Sequence, residues 1–380
     1  MYSINGEIGL ARGGRLCDKG TSRKQSPNER EKMKSGLERL NVAVVGCGGI
    51  AAEAHLPNTQ VIPRICLNAL VDPREEALTA AGEKFNVPPG RRFATVDQAL
   101  EAGVALDAAI VCTPAATHAD VACRLFAAGK HVFVEKPLAT TVADAGRMMA
   151  AAEAAGCKLM VGHYLRYMPH HAKVRDIIAS GKLGKVFAAT AFEESLGIKP
   201  EEGIIPDLAP HYIDLLNFYF APRRVEAVWA CTGRANARGE QDRETEAEIK
   251  MFFEGGTIGS VNVYWTPGFG NWDACDRYIR VVGQKGWLKT GMTSSVTEAY
   301  FAGNLINRMR GPFKFVPKFV LHADMPIKGT SFRRELEDFA KAVQSGGRPP
   351  IDGAVALETV KVVEAALESA KTGCKVELAK

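Results

Sequence analysis

The sequence predicts an α/β protein in two domains, a parallel doubly wound sheet followed by a mostly antiparallel one. Three observations carry this. From Leu40 onward, short apolar runs alternate with helical stretches, the pattern of βαβ units. After about Pro169 the strand-like runs lengthen and helices become fewer. The chain has 380 residues, enough for two cores.

Taken in order, "LNVAVVGCGGIA" is an apolar run that breaks into glycines and leads into a helix. "ICLNALVD" is a second strand, ending on Asp72, and the helical "PREEALTAAGEKFN" follows. "DAAIVCTP", "KHVFVEKP" and "CKLMVGHY" are further strands, separated by the helical "ATHADVACRLFAAG" and "VADAGRMMAAAEAAG". Right-handed crossovers bring their carboxyl ends to one edge, where ligands bind. "AKVRDIIASGKLG" is a helix closed by glycine. "KVFAATAFEES", "RVEAVWACTG", "EAEIKMFFEGGTIGSVNVYW" and "RYIRVVGQKGWLKTG" build the second sheet, the third holding a hairpin at Gly255 and Gly256. "FRRELEDFAKAVQSGG" and "GAVALETVKVVEAALESAKTG" are two closing helices. The expected domains are 40–163 and 164–380. The helices are too few to cover both faces of the second sheet. A homodimer or homotetramer with sheet packed on sheet is therefore expected.

Charge and composition exclude several classes. The net charge is +5, but residues 1–40 hold nine Lys/Arg against five Asp/Glu, which leaves about +1 for the rest. The basic excess belongs to a polar, aperiodic leader, residues 1–39, expected to be disordered. An alternative is that Met33 is the true start. The leader's mixed charge and scarce aromatics argue against a nucleic-acid arm. No apolar run reaches membrane-spanning length, and the start lacks an export signal. The nine cysteines are scattered and form no Cys-x-x-Cys pair, so reduced thiols in the cytoplasm are expected, with no metal site. His170 and His171 are adjacent, expected to face different ways, and are given no metal role.

The glycine break is G-x-G-x-x-A, with Gly46, Gly48 and Ala51 flanking Gly49 and Ile50. Gly46 permits a tight turn, Gly48 lets a pyrophosphate approach the backbone, and the following helix N-terminus faces the phosphates. Asp72, 24 residues after Gly48, fits the carboxylate that binds the adenosine ribose and repels a 2′-phosphate. This points to NAD, although Arg74 could accept the phosphate of NADP. Asp72 could equally cap the next helix, with Pro73 at its first position. Thr113 and Pro114 turn the chain beneath the nicotinamide half, and His118 is either a site residue or a surface histidine.

"EKP" ends the fourth strand. Pro137 stops it, and adjacent residues point to opposite faces. Lys136 can then face a substrate while Glu135 faces structure or ribose; a solvated loop pair is the plain alternative. In "DLAPHYIDLLNFYF", Asp207, His211 and Asp214 fall on one helical face beside an apolar stripe of Leu208, Tyr212, Leu215 and Tyr219. Pro210 requires the helix to start close before it. A carboxylate one turn before a histidine can orient its imidazole. A capping Asp207 with a core-edge His211 is the alternative.

Together, "VVGCGGIA", "CTPAATH", "AAGKHVFVEKPLA", "VGHYLRYMP", "IASGKLGKV", "DLAPHYIDLL" and "ALETVKVVEAALESAKTG" resemble the glucose–fructose oxidoreductase and inositol dehydrogenase (Gfo/Idh/MocA) family over roughly residues 40 to 378. The resemblance implies an N-terminal Rossmann domain and a C-terminal α/β domain with a large open sheet. It makes Lys136 the lysine of the family's Glu-Lys-Pro motif, and Asp207 and His211 its Asp-x-x-x-His pair. Arg166, at the cofactor edge, matches the arginine of G-[FY]-x-x-R-[FY], with His163 in place of the usual aromatic. "GIKPEEGIIPD" departs from the family's Gly-rich approach, which leaves the pocket's shape open. The implied activity is NAD(P)-dependent dehydrogenation of a sugar or cyclitol hydroxyl: His211 as base, Lys136 on the reacting oxygen, Asp207 orienting His211. A lyase or hydrolase using NAD transiently, or a non-catalytic NAD-binding regulator, are the alternatives.

Overall fold

The computed structural model describes residues 39–196, 203–234, 244–266, 276–292, 297–301 and 327–378. The leader and part of "GIKPEEGIIPD" lie outside them. The first sheet contains β1 (Leu40–Val45), β2 (Ile65–Val71), β3 (Arg92–Phe93), β4 (Ala108–Val111), β5 (His131–Glu135) and β6 (Leu159–Gly162). Its order is β3-β2-β1-β4-β5-β6, all parallel. Every residue of β2 and β4 is buried, as a sheet covered on both faces requires. Strand order reverses between β1 and β4, so their carboxyl ends open a crevice.

The helices of this half are α1 (Leu56–Val61), α2 (Glu75–Lys84), α3 (Val96–Glu101), α4 (His118–Ala127) and α5 (Val142–Ala154). A π-helical turn, Ala51–His55, precedes α1 and carries the buried His55. Helix α2 starts at Glu75 with Arg74 at its N-cap position, so Pro73 is not its first residue. Asp72 instead accepts the Arg74 N–H at 2.9 Å, from just outside the helix.

The second sheet has eight described strands: β7 (Val186–Leu196), β8 (Val225–Gly233), β9 (Glu246–Phe253), β10 (Thr257–Thr266), β11 (Arg277–Gly283), β12 (Gly286–Gly291), β13 (Thr297–Phe301) and β14 (Val376–Glu377). Their order is β13-β12-β11-β7-β10-β9-β8-β14, and only the β7–β10 pairing is parallel. The β9–β10 hairpin turns at Gly255 and Gly256, whose φ angles of 80° and 83° favour glycine. Helices α6 (Pro169–Ala179) and α7 (Ile204–Phe220) cover one face. Pro210 sits in the second turn of α7, deeper than the sequence implied. Dense burial on both sides, with Leu208, Ala209 and Tyr212 all inside, holds the helix through the missing N–H.

Two closing helices, α8 (Ile327–Ser345) and α9 (Gly353–Thr372), knit the halves together. Leu336, Phe339 and Ala340 of α8 pack with Leu40, Leu56 and Phe133 of the first half. Helix α9 divides its faces: Ala356 and Val360 join the first sheet's core, while Val362, Val363 and Ala366 join the second's. His170 and His171 do not diverge. Their rings lie 4.2 Å apart, and both Nε2 atoms approach the Met292 carbonyl, at 3.4 and 2.9 Å. In the first turn of α6, long side chains converge on one acceptor. Cys66 is disulfide-bonded, so reduced thiols describe the other described cysteines, not this one. No described helix is long and apolar enough to cross a membrane.

Candidate active site

The cofactor edge is built where β1, β2 and β4 end. Gly46 has φ 90°, and a Cβ there would lie 2.7 Å from the Cys112 carbonyl carbon and oxygen. Only glycine fits between the strand ends. The Gly48 carbonyl accepts the Ala52 N–H at 2.9 Å and so opens the helix. Gly49 and Ile50 are exposed, and a Cβ on Gly49 would meet nothing within 4 Å, so a phosphate can approach this backbone. Ala51 is buried against the core.

Asp72 lies beside this turn, with its carboxylate fixed. Oδ2 accepts the Cys47 N–H at 2.8 Å and Arg74 Nη2 at 3.0 Å; Oδ1 accepts Arg74 Nε at 3.0 Å. Burial would raise its pKa, but the Arg74 hydrogen bonds and the Cys47 N–H outweigh that and hold it below the usual carboxylate range. The glycine cradle, the open helix start and an ionised Asp72 fit a dinucleotide.

His118 is buried, not a surface histidine. Its Nε2 lies 2.9 Å from the Thr113 carbonyl and its Nδ1 2.9 Å from the Pro137 carbonyl, joining the loops after β4 and β5. Burial pushes its pKa down against the pull of these carbonyls. Thr113 is half-buried and takes a hydrogen bond from Thr117 at 2.9 Å; Pro114 is exposed.

At the end of β5, Glu135 and Lys136 part as alternation requires. Glu135 turns inward to His55. Lys136 turns toward the second domain, where its Nζ donates to the Asp207 carbonyl of α7 at 3.0 Å. Asp207 is buried, and His211 is half-buried one turn later. The 3₁₀ turn Tyr164–Tyr167 supplies a wall: the Tyr164 ring meets His211 edge-on at 5.7 Å and stacks on Phe332 at 4.4 Å. Burial raises the Tyr164 pKa, so its hydroxyl stays protonated.

Arg166, expected at the cofactor edge, is anchored to α7. Its fork holds Asp214 in two hydrogen bonds of 2.7 and 2.6 Å, and its guanidinium lies over Phe218. His163 is buried behind this pair, 3.7 Å from Asp214, with its pKa pushed down by burial.

Sequence reading missed Glu193. On β7 it is buried, with Oε1 3.8 Å from Arg277 Nε. Burial pushes its pKa up to about 7, against the charges of Arg277 and Lys136 and with that of Asp207. The available signal was its phase: it faces inward with Ala189 and Ala191 on one strand. Tyr164, His55 and Glu335 were also missed.

Residues 40–163 match an oxidoreductase family with an NAD-binding Rossmann fold, and residues 175–378 match that family's C-terminal alpha/beta domain. The chain is 26% identical over 325 residues to myo-inositol 2-dehydrogenase of Thermotoga maritima, covering 83% of this chain and 91% of that one. It is 27% identical over 354 residues to D-apiose dehydrogenase of Paraburkholderia graminis, covering 90% of each. Among solved structures, GenD2 from gentamicin A biosynthesis, in complex with NAD, is 27% identical with a TM-score of 0.75, covering 90% of this chain and 97% of that one.

Proposed function

This chain belongs to the Gfo/Idh/MocA oxidoreductase family, and from that membership we propose that it reversibly oxidises a secondary alcohol on a sugar or cyclitol, with NAD preferred over NADP. The observation that carries the reading is the 3.0 Å contact from Lys136 to Asp207. It joins the cofactor edge of one domain to the Asp207–His211 turn of the other.

Each group has a role in this reading. Gly46, Gly48, Gly49, Ile50 and Ala51 hold the pyrophosphate, and Asp72 takes the ribose hydroxyls. Nicotinamide, when bound, supplies the hydride acceptor. His211 takes the hydroxyl proton as general base. Lys136 has three donors, of which the Asp207 carbonyl takes one. The others remain to bond the reacting oxygen and favour its alkoxide. Asp207 orients His211 from one turn before it. Tyr164 and Phe332 form the apolar wall. The gathering of Lys136, Asp207 and His211 in one place favours an enzyme over a non-catalytic regulator.

The outer face of the second sheet supports assembly with a second copy. Phe187 and Ile258 are 48% and 42% exposed there, and Phe192 stacks on Tyr278 at 5.4 Å. We assign a dimer or tetramer to this face. The test of the activity is turnover of a panel of sugars and inositols by the NAD-loaded protein beside its His211→Ala variant. Equal rates in the two would sink the assignment of the base.

A further inference from the structure

His55, Glu135 and Glu335 form a buried group that the proposed chemistry does not use. Their ligating atoms all lie within 4.8 Å of one another. They arrive from the π-helical turn, the end of β5 and α8. His55 Nε2 and Glu135 Oε1 are 2.5 Å apart, and Glu135 Oε2 accepts the Lys136 N–H at 3.1 Å. Phe133 and Phe332 meet the His55 ring edge-on at 5.4 and 5.6 Å. His55 Nδ1 and both Glu335 oxygens are buried and make no hydrogen bond among the described residues.

Two carboxyls this close in an apolar box do not both ionise. Geometry decides which one holds the proton. Glu135 has two donors, His55 Nε2 and the Lys136 N–H, with the Lys136 ammonium on the same residue. Glu335 has no donor among the described residues. Burial and the Glu135 charge push the Glu335 pKa well above the carboxylate range. Glu135 is held below that range in spite of burial, by the His55 hydrogen bond and the charges of His55 and Lys136. A proton on Glu335 also takes the charge off two buried oxygens that no described donor meets, within 4.8 Å of the Glu135 carboxylate. The neighbouring Cys112, Tyr164 and Tyr167 all have their pKa values raised and add no charge.

We propose that Glu335 is an un-ionised acid, and that it and His55 are positioning residues for Lys136. Together they keep a single negative charge, that of Glu135, fixed against the Lys136 backbone. The role rests on the reading of Lys136 as a catalytic residue; the protonation state does not. The donor types would also suit a metal ion. The 2.5 Å contact argues for a shared proton instead. Ligands each about 2.0–2.1 Å from a tetrahedral ion stand farther apart than that.

Infrared spectroscopy of the full chain at mildly alkaline pH tests the protonation. An un-ionised carboxyl band is expected in the unmodified protein and should vanish in Glu335→Gln. Absence of the band from the unmodified protein overturns the assignment, as does one equivalent of bound metal in the purified chain. Turnover tests the positioning. Glu335→Met fills the same space without a polar atom and should lower kcat about tenfold or more, as a misplaced catalytic group does. Glu335→Gln restores the polar contacts and should recover kcat. Equal kcat in the Met and Gln variants overturns the positioning role. If no polyol is turned over by any variant, the proposed activity fails while the infrared result still decides the protonation.

Discussion

Asp72→Ala tests the cofactor edge with the fewest assumptions. The carboxylate accepts from the Cys47 N–H at 2.8 Å, from the Arg74 N–H at 2.9 Å and from the Arg74 guanidinium twice at 3.0 Å. Its removal has three effects. The ribose hydroxyls lose a charged acceptor, which costs about 1.5–3 kcal/mol and weakens NAD roughly 10- to 150-fold. The Arg74 side chain, already 63% exposed, loses its partner and can meet a 2′-phosphate, so NADP should weaken far less or bind better. The buried Cys47 N–H loses its acceptor, which removes about 1–3 kcal/mol of stability. Calorimetric titration of NAD and NADP into both proteins reads the first two effects, and urea unfolding reads the third. Tighter NADP than NAD binding by the unmodified protein would refute the reasoning. So would a variant whose NAD to NADP affinity ratio has not moved.

His211→Ala should lower turnover by about two to four orders of magnitude with NAD affinity unchanged, and Asp207→Asn should cost less. Lys136→Ala should lower turnover strongly; stopped-flow hydride transfer reads all three variants, and a normal rate in His211→Ala would move the base elsewhere. Glu193 titrates near 7 in the folded chain against 4.5 ordinarily. Its raised value means stability is fully present below the ordinary value and is lost as pH rises through about 7. Glu193→Gln should therefore gain on the order of 3 kcal/mol relative to the unmodified protein between pH 4 and 8, and an identical pH dependence of unfolding in both would remove Glu193 from the account. Phe187→Asp with Ile258→Glu should turn an oligomer into a monomer by light scattering; an unmodified protein already monomeric at micromolar concentration would end that proposal.

How much was legible follows from where each signal lies in the chain. The β2 run, ICLNALV, could be read as a central strand because both its faces are covered and all seven residues are apolar or buried. Gly46 was legible because the steric demand is local to one turn. The placement of Asp207 and His211 one turn apart on α7 was legible because helical spacing alone stacks them. The two-residue β3 and the π-helical turn left no periodic trace. Glu335 hides among Phe332, Leu336 and Phe339 on the apolar face of α8, where a lone acid reads as an edge residue. It meets His55 and Glu135 only through tertiary packing, and no local spacing encodes that. The same holds for Arg166, whose partner Asp214 is set by the docking of one turn onto α7.

The end of β5 shows why the Glu-Lys-Pro run has the form it does. Alternation sends Glu135 into the first domain and Lys136 out toward the second. The inward acid gives the lysine backbone a fixed acceptor at 3.1 Å, and the outward ammonium reaches the α7 carbonyl at 3.0 Å. Lys136 is thus held at both ends before any ligand arrives. Pro137 follows at once, has no N–H to donate, and lends its carbonyl to His118 at 2.9 Å. The strand cannot continue, and the loop after it is tied to the loop after β4. A lysine on an untied loop would lose side-chain and backbone freedom on each encounter with substrate, at about 1–2 kcal/mol per ordered residue. Here the fold has already met that cost. The buried acid, the buried histidine and the proline all serve the placement of one ammonium group.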